Sequence, residues 1–273
     1  MSRRRSGPWT AAWVLATAAV LGGTACGRGS AGRGVIVAGS TSIQPFADRW
    51  AEVFMRQNPG QVINIQGGGS SAGIEAARSG TADIGMTSRE LKPEERDLTE
   101  TVIARDGLAV IVHPGNRLSE LDLVGVRSIF NGSVRNWRML GGADAPITVV
   151  TREEGSGTRG AFQELVMKKD RIHRGAVVED SNGTVREIVA NDPNGIGYIS
   201  LGLVNAQVKA LRLEGAAATK AEIDAGRYRL VRPFLFVTRG PAGPAARAFL
   251  DFVLTAEGQK LIVEEGLLPA AAD

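Results

Sequence analysis

The amino-acid sequence predicts an α/β fold with parallel sheets, and three observations carry that expectation. Short β-branched runs recur along the chain, segments of helical period lie between several of them, and the strand-to-helix junctions are rich in glycine and hydroxyl side chains. The runs are Val35–Val37, Val62–Ile65, Leu108–Val112, Ile147–Val150, Ile196–Ile199, Val208–Leu213 and Phe234–Val237. In the clearest helix, Ile43, Phe46, Ala47, Trp50, Val53 and Phe54 follow the i, i+3, i+4, i+7 spacing that places apolar groups on one face. A second helix carries Phe162, Leu165 and Val166. Ala248–Leu254 and Gln259–Val263 read as a final pair, with Thr255 between them as an N-cap. Pro114 and Pro233 stand at or near strand ends, where a chain could cross between two lobes and return.

Ahead of the first strand, residues 1–25 have the layout of an export signal. A basic start (Arg3, Arg4, Arg5) precedes an apolar stretch from Trp9 to about Leu21, and small residues lead to Cys26. The stretch falls short of the roughly 20 residues a membrane span requires. The segment resembles a bacterial lipoprotein signal in which Cys26 becomes the acylated first residue, although Gly23 stands where that pattern prefers Leu. Gly27, Arg28, Gly29 and Ser30 begin a flexible tether over 26–34.

The chain holds 32 Lys and Arg against 29 Asp and Glu, and loss of Arg3, Arg4 and Arg5 with the signal leaves 29 of each. A polyanion-binding surface is therefore not expected, and no basic stripe interleaved with aromatics points to nucleic acid. One Cys excludes an internal disulfide, and two distant His with no second Cys argue against zinc. Neither a metal nor a cofactor is expected. With 43% hydrophobic and 22% charged residues the chain is globular, and a monomer is the default.

Three loop-to-helix junctions share one chemistry. They are Gly39-Ser40-Thr41-Ser42, Gly67-Gly68-Gly69-Ser70-Ser71-Ala72-Gly73, and Arg152-Glu153-Glu154-Gly155-Ser156-Gly157-Thr158. Each supplies glycine for close backbone approach, hydroxyl donors, and a helix start whose first N–H groups lack intrahelical partners. Such ends attract anions, and Arg152 adds a planar fork that can hold two oxygens of one oxyanion. A single hydroxyl before a helix is usually only a cap; three such junctions in one chain suggest more. No Lys-Ser or Lys-Thr closes the glycine-rich run, so a nucleotide P-loop is not indicated and a small oxyanion is favoured over ATP.

Together with Thr81–Glu90, Asp192–Tyr198 and Thr255–Lys260, these junctions resemble the phosphate-binding proteins of bacterial ABC phosphate importers, the PstS family, over about Val35 to Leu268. The resemblance implies a two-lobed periplasmic-binding-protein fold (Venus flytrap, type II-like) with a two-segment hinge. Residues 35–113 with 232–273 would form one lobe and 114–231 the other. Inorganic phosphate would lie between them, for delivery to an ABC permease by an exported, lipid-anchored protein. Thr41, Ser42 and Ser70 would hold phosphate from the first lobe, and Arg152, Ser156, Gly157 and Thr158 from the second, with Glu154 orienting the arginine.

Many family members place an Asp where this chain has Ser88, and that Asp accepts the proton phosphate still carries at neutral pH. Sulfate has no such proton, so an acceptor carboxylate discriminates between the two. With Ser88 in that place, Asp106 is the expected substitute. Two alternatives remain at this level. One is a binding protein or sensor for another oxyanion, such as sulfate or molybdate. The other is a phosphate-ester hydrolase with Ser156 as nucleophile and His113 or His173 as base.

Overall fold

The computed structural model describes residues 34–270, so the expected signal and the Cys26 acylation site lie outside the described residues. Strands β1 (Val35–Gly39), β2 (Ile63–Gly67) and β3 (Ile84–Thr87) are parallel, with α1 (Gln44–Gln57) and α2 (Ser70–Ser79) as crossovers. Helix α1 buries Phe46, Ala47, Trp50, Val53 and Phe54, the face its spacing predicts. Pro45 sits in its first turn, where the missing N–H has no helical partner to lose. The 14-residue strand β4 (Thr99–Val112) then carries the chain onward.

The second half holds β5 (Glu120–Leu121), α3 (Leu123–Phe130), β6 (Thr148–Arg152), α4 (Gly157–Phe162), β7 (Val177–Glu179), α5 (Asn182–Asn191) and β8 (Gly195–Ser200). After it come β9 (Lys209–Ala210), β10 (Arg212–Leu213), α6 (Lys220–Asp224), the return strand β11 (Val231–Thr238), α7 (Pro244–Leu254) and α8 (Ala256–Glu264). Thr255 caps α8 as expected, its hydroxyl accepting from Gly258 N at 3.1 Å.

The main sheet runs β2-β1-β3-β11-β4-β8-β6-β7, with β9 also on β4. It is mixed rather than parallel throughout. β11 is antiparallel to both β3 and β4, and β4 is antiparallel to β8. The reason is topological, because the strand that returns between the halves lies beside the strand that left. The predicted run Val208–Leu213 divides into β9 on β4 and β10 on β5, since Leu211 N turns to Val110 O between them.

The apolar packing changes along β4. Ile103 and Ala104 pack with Trp50, Phe234, Phe236 and Phe249, whereas Leu108, Val110 and Val112 pack with Phe130, Phe162 and Tyr198. Trp50 meets Phe236 edge-on at 6.1 Å, and Phe162 stacks on Tyr198 at 4.0 Å. Full burial of one such ring contributes about 1.5–3 kcal/mol, so each half has its own source of stability. Asp106 lies at the change of core, opposite Arg232 of β11.

Candidate anion-binding site

The three junctions singled out in the sequence converge where the halves meet. Strand β1 delivers Thr41 and Ser42, the start of α2 delivers Ser70, and the end of β3 delivers Ser88. Strand β6 delivers Arg152, and α4 starts at Gly157 and Thr158. Ser42 Oγ lies 2.7 Å from Thr158 Oγ1, and Arg152 Nη2 donates to Thr41 Oγ1 at 3.2 Å. Ser71 N donates to Gly155 O at 3.1 Å, a backbone bond across the same junction. Gly157 is required by proximity, because a Cβ there would stand 2.2 Å from Ser70 Oγ and 2.5 Å from Ser88 Oγ. Ser42, Ser70, Ser88, Arg152 and Thr158 are all buried.

Hydrogen bonds within the protein orient these hydroxyls. Ser42 Oγ accepts from Asn182 Nδ2 at 2.8 Å, and Ser70 Oγ accepts from Ser88 N at 3.0 Å. Ser88 Oγ accepts from Ser40 Oγ at 2.9 Å, while Ser40 Oγ accepts from Ser42 N at 3.2 Å. Arg152 is 1% exposed. Its Nε reaches Glu153 and Glu179 O, both at 3.1 Å, and its Nη2 reaches Asp180 O at 2.7 Å. Its Nη1 is buried and, among the described residues, is the one buried side-chain polar atom without a hydrogen-bond partner. An unpaired charged donor in the interior is costly, and an oxyanion would satisfy it. Below it, Tyr198 shares a 2.7 Å hydrogen bond with Thr151, and burial pushes its hydroxyl up to about 12.

Two expected roles are corrected. Glu154 does not orient Arg152: its side chain is 91% exposed and lies 3.6 Å from Arg159. Glu153 holds the guanidinium instead, with Oε1 3.1 Å from Nη2 and Oε2 3.1 Å from Nε. Nor does Asp106 face the hydroxyl cluster as an open acceptor. Arg232 binds its Oδ2 through Nε and Nη2 at 3.0 and 2.8 Å, and Ser200 Oγ donates to Oδ1 at 2.8 Å. Burial pushes the Asp106 carboxyl above its ordinary range and the Arg232 guanidinium below its own, while each partner draws the other back towards its charged form.

Ser156 lies in the junction, but its hydroxyl accepts from Arg159 N at 3.3 Å and caps α4. His113 and His173 each accept a local backbone N–H, from Gly115 at 3.0 Å and Gly175 at 3.1 Å. No hydrogen bond joins either to Ser156 among the described residues. Sequence reasoning missed Ser40, Glu153, Asn182 and Arg232. Asn182 had a usable signal, since Ser181-Asn182-Gly183 is a fourth hydroxyl-and-glycine junction between a strand and a helix.

Two halves with separate cores, joined by paired crossing strands and meeting at buried donors, define a two-lobed solute-binding protein. A family profile described as a PBP superfamily domain matches residues 23–257. The chain is 32% identical over 252 residues to the phosphate-binding protein PstS of Bacillus subtilis (strain 168), covering 90% of this chain and 84% of that protein. It is 28% identical to PstS of Borreliella burgdorferi over 86% of this chain and 89% of that one. A Clostridium perfringens structure, described as a phosphate ABC transporter substrate-binding protein with bound phosphate, matches with a TM-score of 0.84 and 41% identity, over 87% of this chain and 99% of that one. An ABC-type phosphate transport receptor from Vibrio cholerae matches with a TM-score of 0.73 and 36% identity, over 86% and 99%. The chain belongs to the PstS family within the PBP superfamily.

Proposed function

We propose that this protein captures inorganic phosphate between its lobes and delivers it to an ABC permease as a binding protein, without turning it over. The observation that carries this reading is the buried, unpartnered Nη1 of Arg152, in a cluster of hydroxyls contributed by both halves. Family membership supports the ligand, since relatives on both sides of the comparison are described as phosphate-binding. Thr41, Ser42, Ser70 and Ser88 would donate from one lobe, and Arg152, Gly157 and Thr158 from the other, with Ser156 shaping the turn. Each charge-assisted bond contributes about 1.5–3 kcal/mol net, so a few suffice for micromolar affinity, about −8 kcal/mol.

The same reading covers the lobes and the anchor. One lobe would comprise 35–113 with 232–273 and the other 114–231, with the crossing itself near Asp106 and Arg232, where the core changes. Closure would draw together Ser42 with Thr158 and Arg152 with Thr41 and remove the anion from water. Export under the signal at 1–25 and acylation at Cys26 would place the protein beside its permease as a monomer. No helix among the described residues is long and apolar enough to cross a membrane.

Arg152→Ala tests the assignment. By titration calorimetry it should weaken phosphate binding by about 100-fold or more, the equivalent of two charge-assisted bonds. Unchanged affinity would remove Arg152 from the site. A second reading, a receptor for sulfate or another tetrahedral oxyanion, is favoured by one observation: the hydroxyl cluster is donor-rich, and Asp106 is already engaged.

A further inference from the structure

The ion pair at the crossing is tied to two hydroxyl residues of the site, to one of them by way of Ser200 and Asn182 of the other half. Asp106 and Arg232 face each other in the register of β4 and β11, and are 0% and 3% exposed. Besides its two bonds to Asp106, Arg232 donates from Nη1 to Ser88 O at 3.2 Å. On the other side, Asp106 Oδ1 accepts from Ser200 Oγ, Ser200 N donates to Asn182 Oδ1 at 3.2 Å, and Asn182 Nδ2 donates to Ser42 Oγ. A single buried pair is thus tied to Ser88 directly and to Ser42 through two residues.

We propose that Arg232 is a positioning residue of the anion site, fixing Ser88 and lending a second positive charge beside Arg152, and that Asp106 is its counter-charge rather than the acceptor of the ligand's proton. This rests on the phosphate reading above. A carboxylate that took a proton from phosphate would need a lone pair free of the protein's own donors. Oδ2 already accepts twice from Arg232, Oδ1 accepts from Ser200 Oγ, and the whole side chain is buried. Arg232 is also fixed from the apolar side, its Cζ lying 5.2 Å from the centre of the Phe234 ring. Both guanidiniums are buried, Arg152 at 1% and Arg232 at 3% exposed, so the charge of Arg232 would act on an anion in the site without contacting it. The charge acts on phosphate and sulfate alike, which gives the proposal its signature.

The test is calorimetric titration of phosphate and of sulfate, separately, into the wild-type protein, Asp106→Asn, Arg232→Lys, and the double variant Asp106→Asn with Arg232→Gln. The double variant leaves no buried charge unpaired and so guards against a folding failure of the single ones. Its unliganded melting temperature reports folding separately from binding. The expected result is that the double variant weakens both anions by about tenfold or more, with the phosphate-to-sulfate ratio within about threefold of wild type. Arg232→Lys, which keeps the charge, should recover most of that loss. Asp106→Asn should keep the ratio as well. A fall of about tenfold or more in the ratio in either Asp106 variant would assign proton acceptance to Asp106 and overturn the proposal. Wild-type affinity for both anions in the folded double variant would overturn the positioning role. Failure of the wild-type protein to bind phosphate would instead defeat the function on which the proposal rests, which separates the two.

Discussion

Arg152 is held by Glu153 and by the carbonyls of Glu179 and Asp180, so its free nitrogen is fixed before any ligand arrives. Such preorganisation lowers the ordering entropy that binding must overcome. It also separates two adjacent acids. Glu153→Gln should weaken phosphate binding by about tenfold, the worth of one charge-assisted bond, while Glu154→Gln should leave it unchanged; competition with radiolabelled phosphate measures both. The sequence exposed Arg152 because a planar cation beside Gly-Ser-Gly-Thr is unusual. It did not say which glutamate serves it, because neighbours at a strand end point to opposite sides and an error of one residue exchanges inside for outside. Arg232 was hidden for a related reason: a charged residue next to Pro233 reads as a strand end, and only its cross-strand partner shows that it is buried.

Among the elements, the periodic helix α1 and the β-branched runs of β1, β2, β6 and β8 were legible, whereas the shortest strands were not. Helix α1 has 14 residues and a continuous apolar stripe. Strands β3 and β7 have four and three residues, too few for a pattern. Only the second half of β4 was foreseen, because Glu100, Arg105 and Asp106 interrupt its apolar character. Helix α2 packs its backbone directly on β1 and β3 at Gly73, where a Cβ would lie 2.6 Å from Ala38 O and 2.8 Å from Met86 O. Gly73→Ala should therefore destabilise the fold by about 1–3 kcal/mol in urea unfolding, the usual range for overpacking.

The loop after β3 is pinned by Arg89, whose fork meets Glu95 at 2.6 and 2.8 Å with both side chains buried. Burial alone would raise the Glu95 carboxyl, but Arg89 and the Lys92 N–H together hold it below its ordinary value of 4.5. Its contribution is therefore fully present above pH 4.5 and is lost as pH falls through the lower, folded value. Unfolding midpoints taken downwards from that pH should fall less steeply in Glu95→Gln than in wild type. Equal slopes would mean that the pair does not report on folding.

For the whole molecule, the two-lobed plan was legible through the combined motifs, and Pro233 stands beside Arg232, where the core changes on the return strand. Pro114 marks the end of β4 for local reasons, and the core has already changed near Asp106. That change can be seen only once β4 and β11 lie side by side, since neither strand reveals its partner. A ligand that joins both lobes stabilises the folded state as a unit. At 100 times its dissociation constant phosphate adds about 2.7 kcal/mol, which for a chain of this size corresponds to a rise in melting temperature of roughly 5–10 °C. Differential scanning calorimetry should show this rise in wild type and not in Arg152→Ala.

The most direct test of the central claim is calorimetric titration of phosphate into the wild-type protein, first stripped of bound anion by unfolding and refolding, beside the same titration of Arg152→Ala. The account predicts saturable, one-to-one binding at micromolar affinity or tighter (about −8 kcal/mol or below), reduced by about 100-fold or more in the variant. Absence of binding in refolded wild type, or equal affinity in the two proteins, would contradict it.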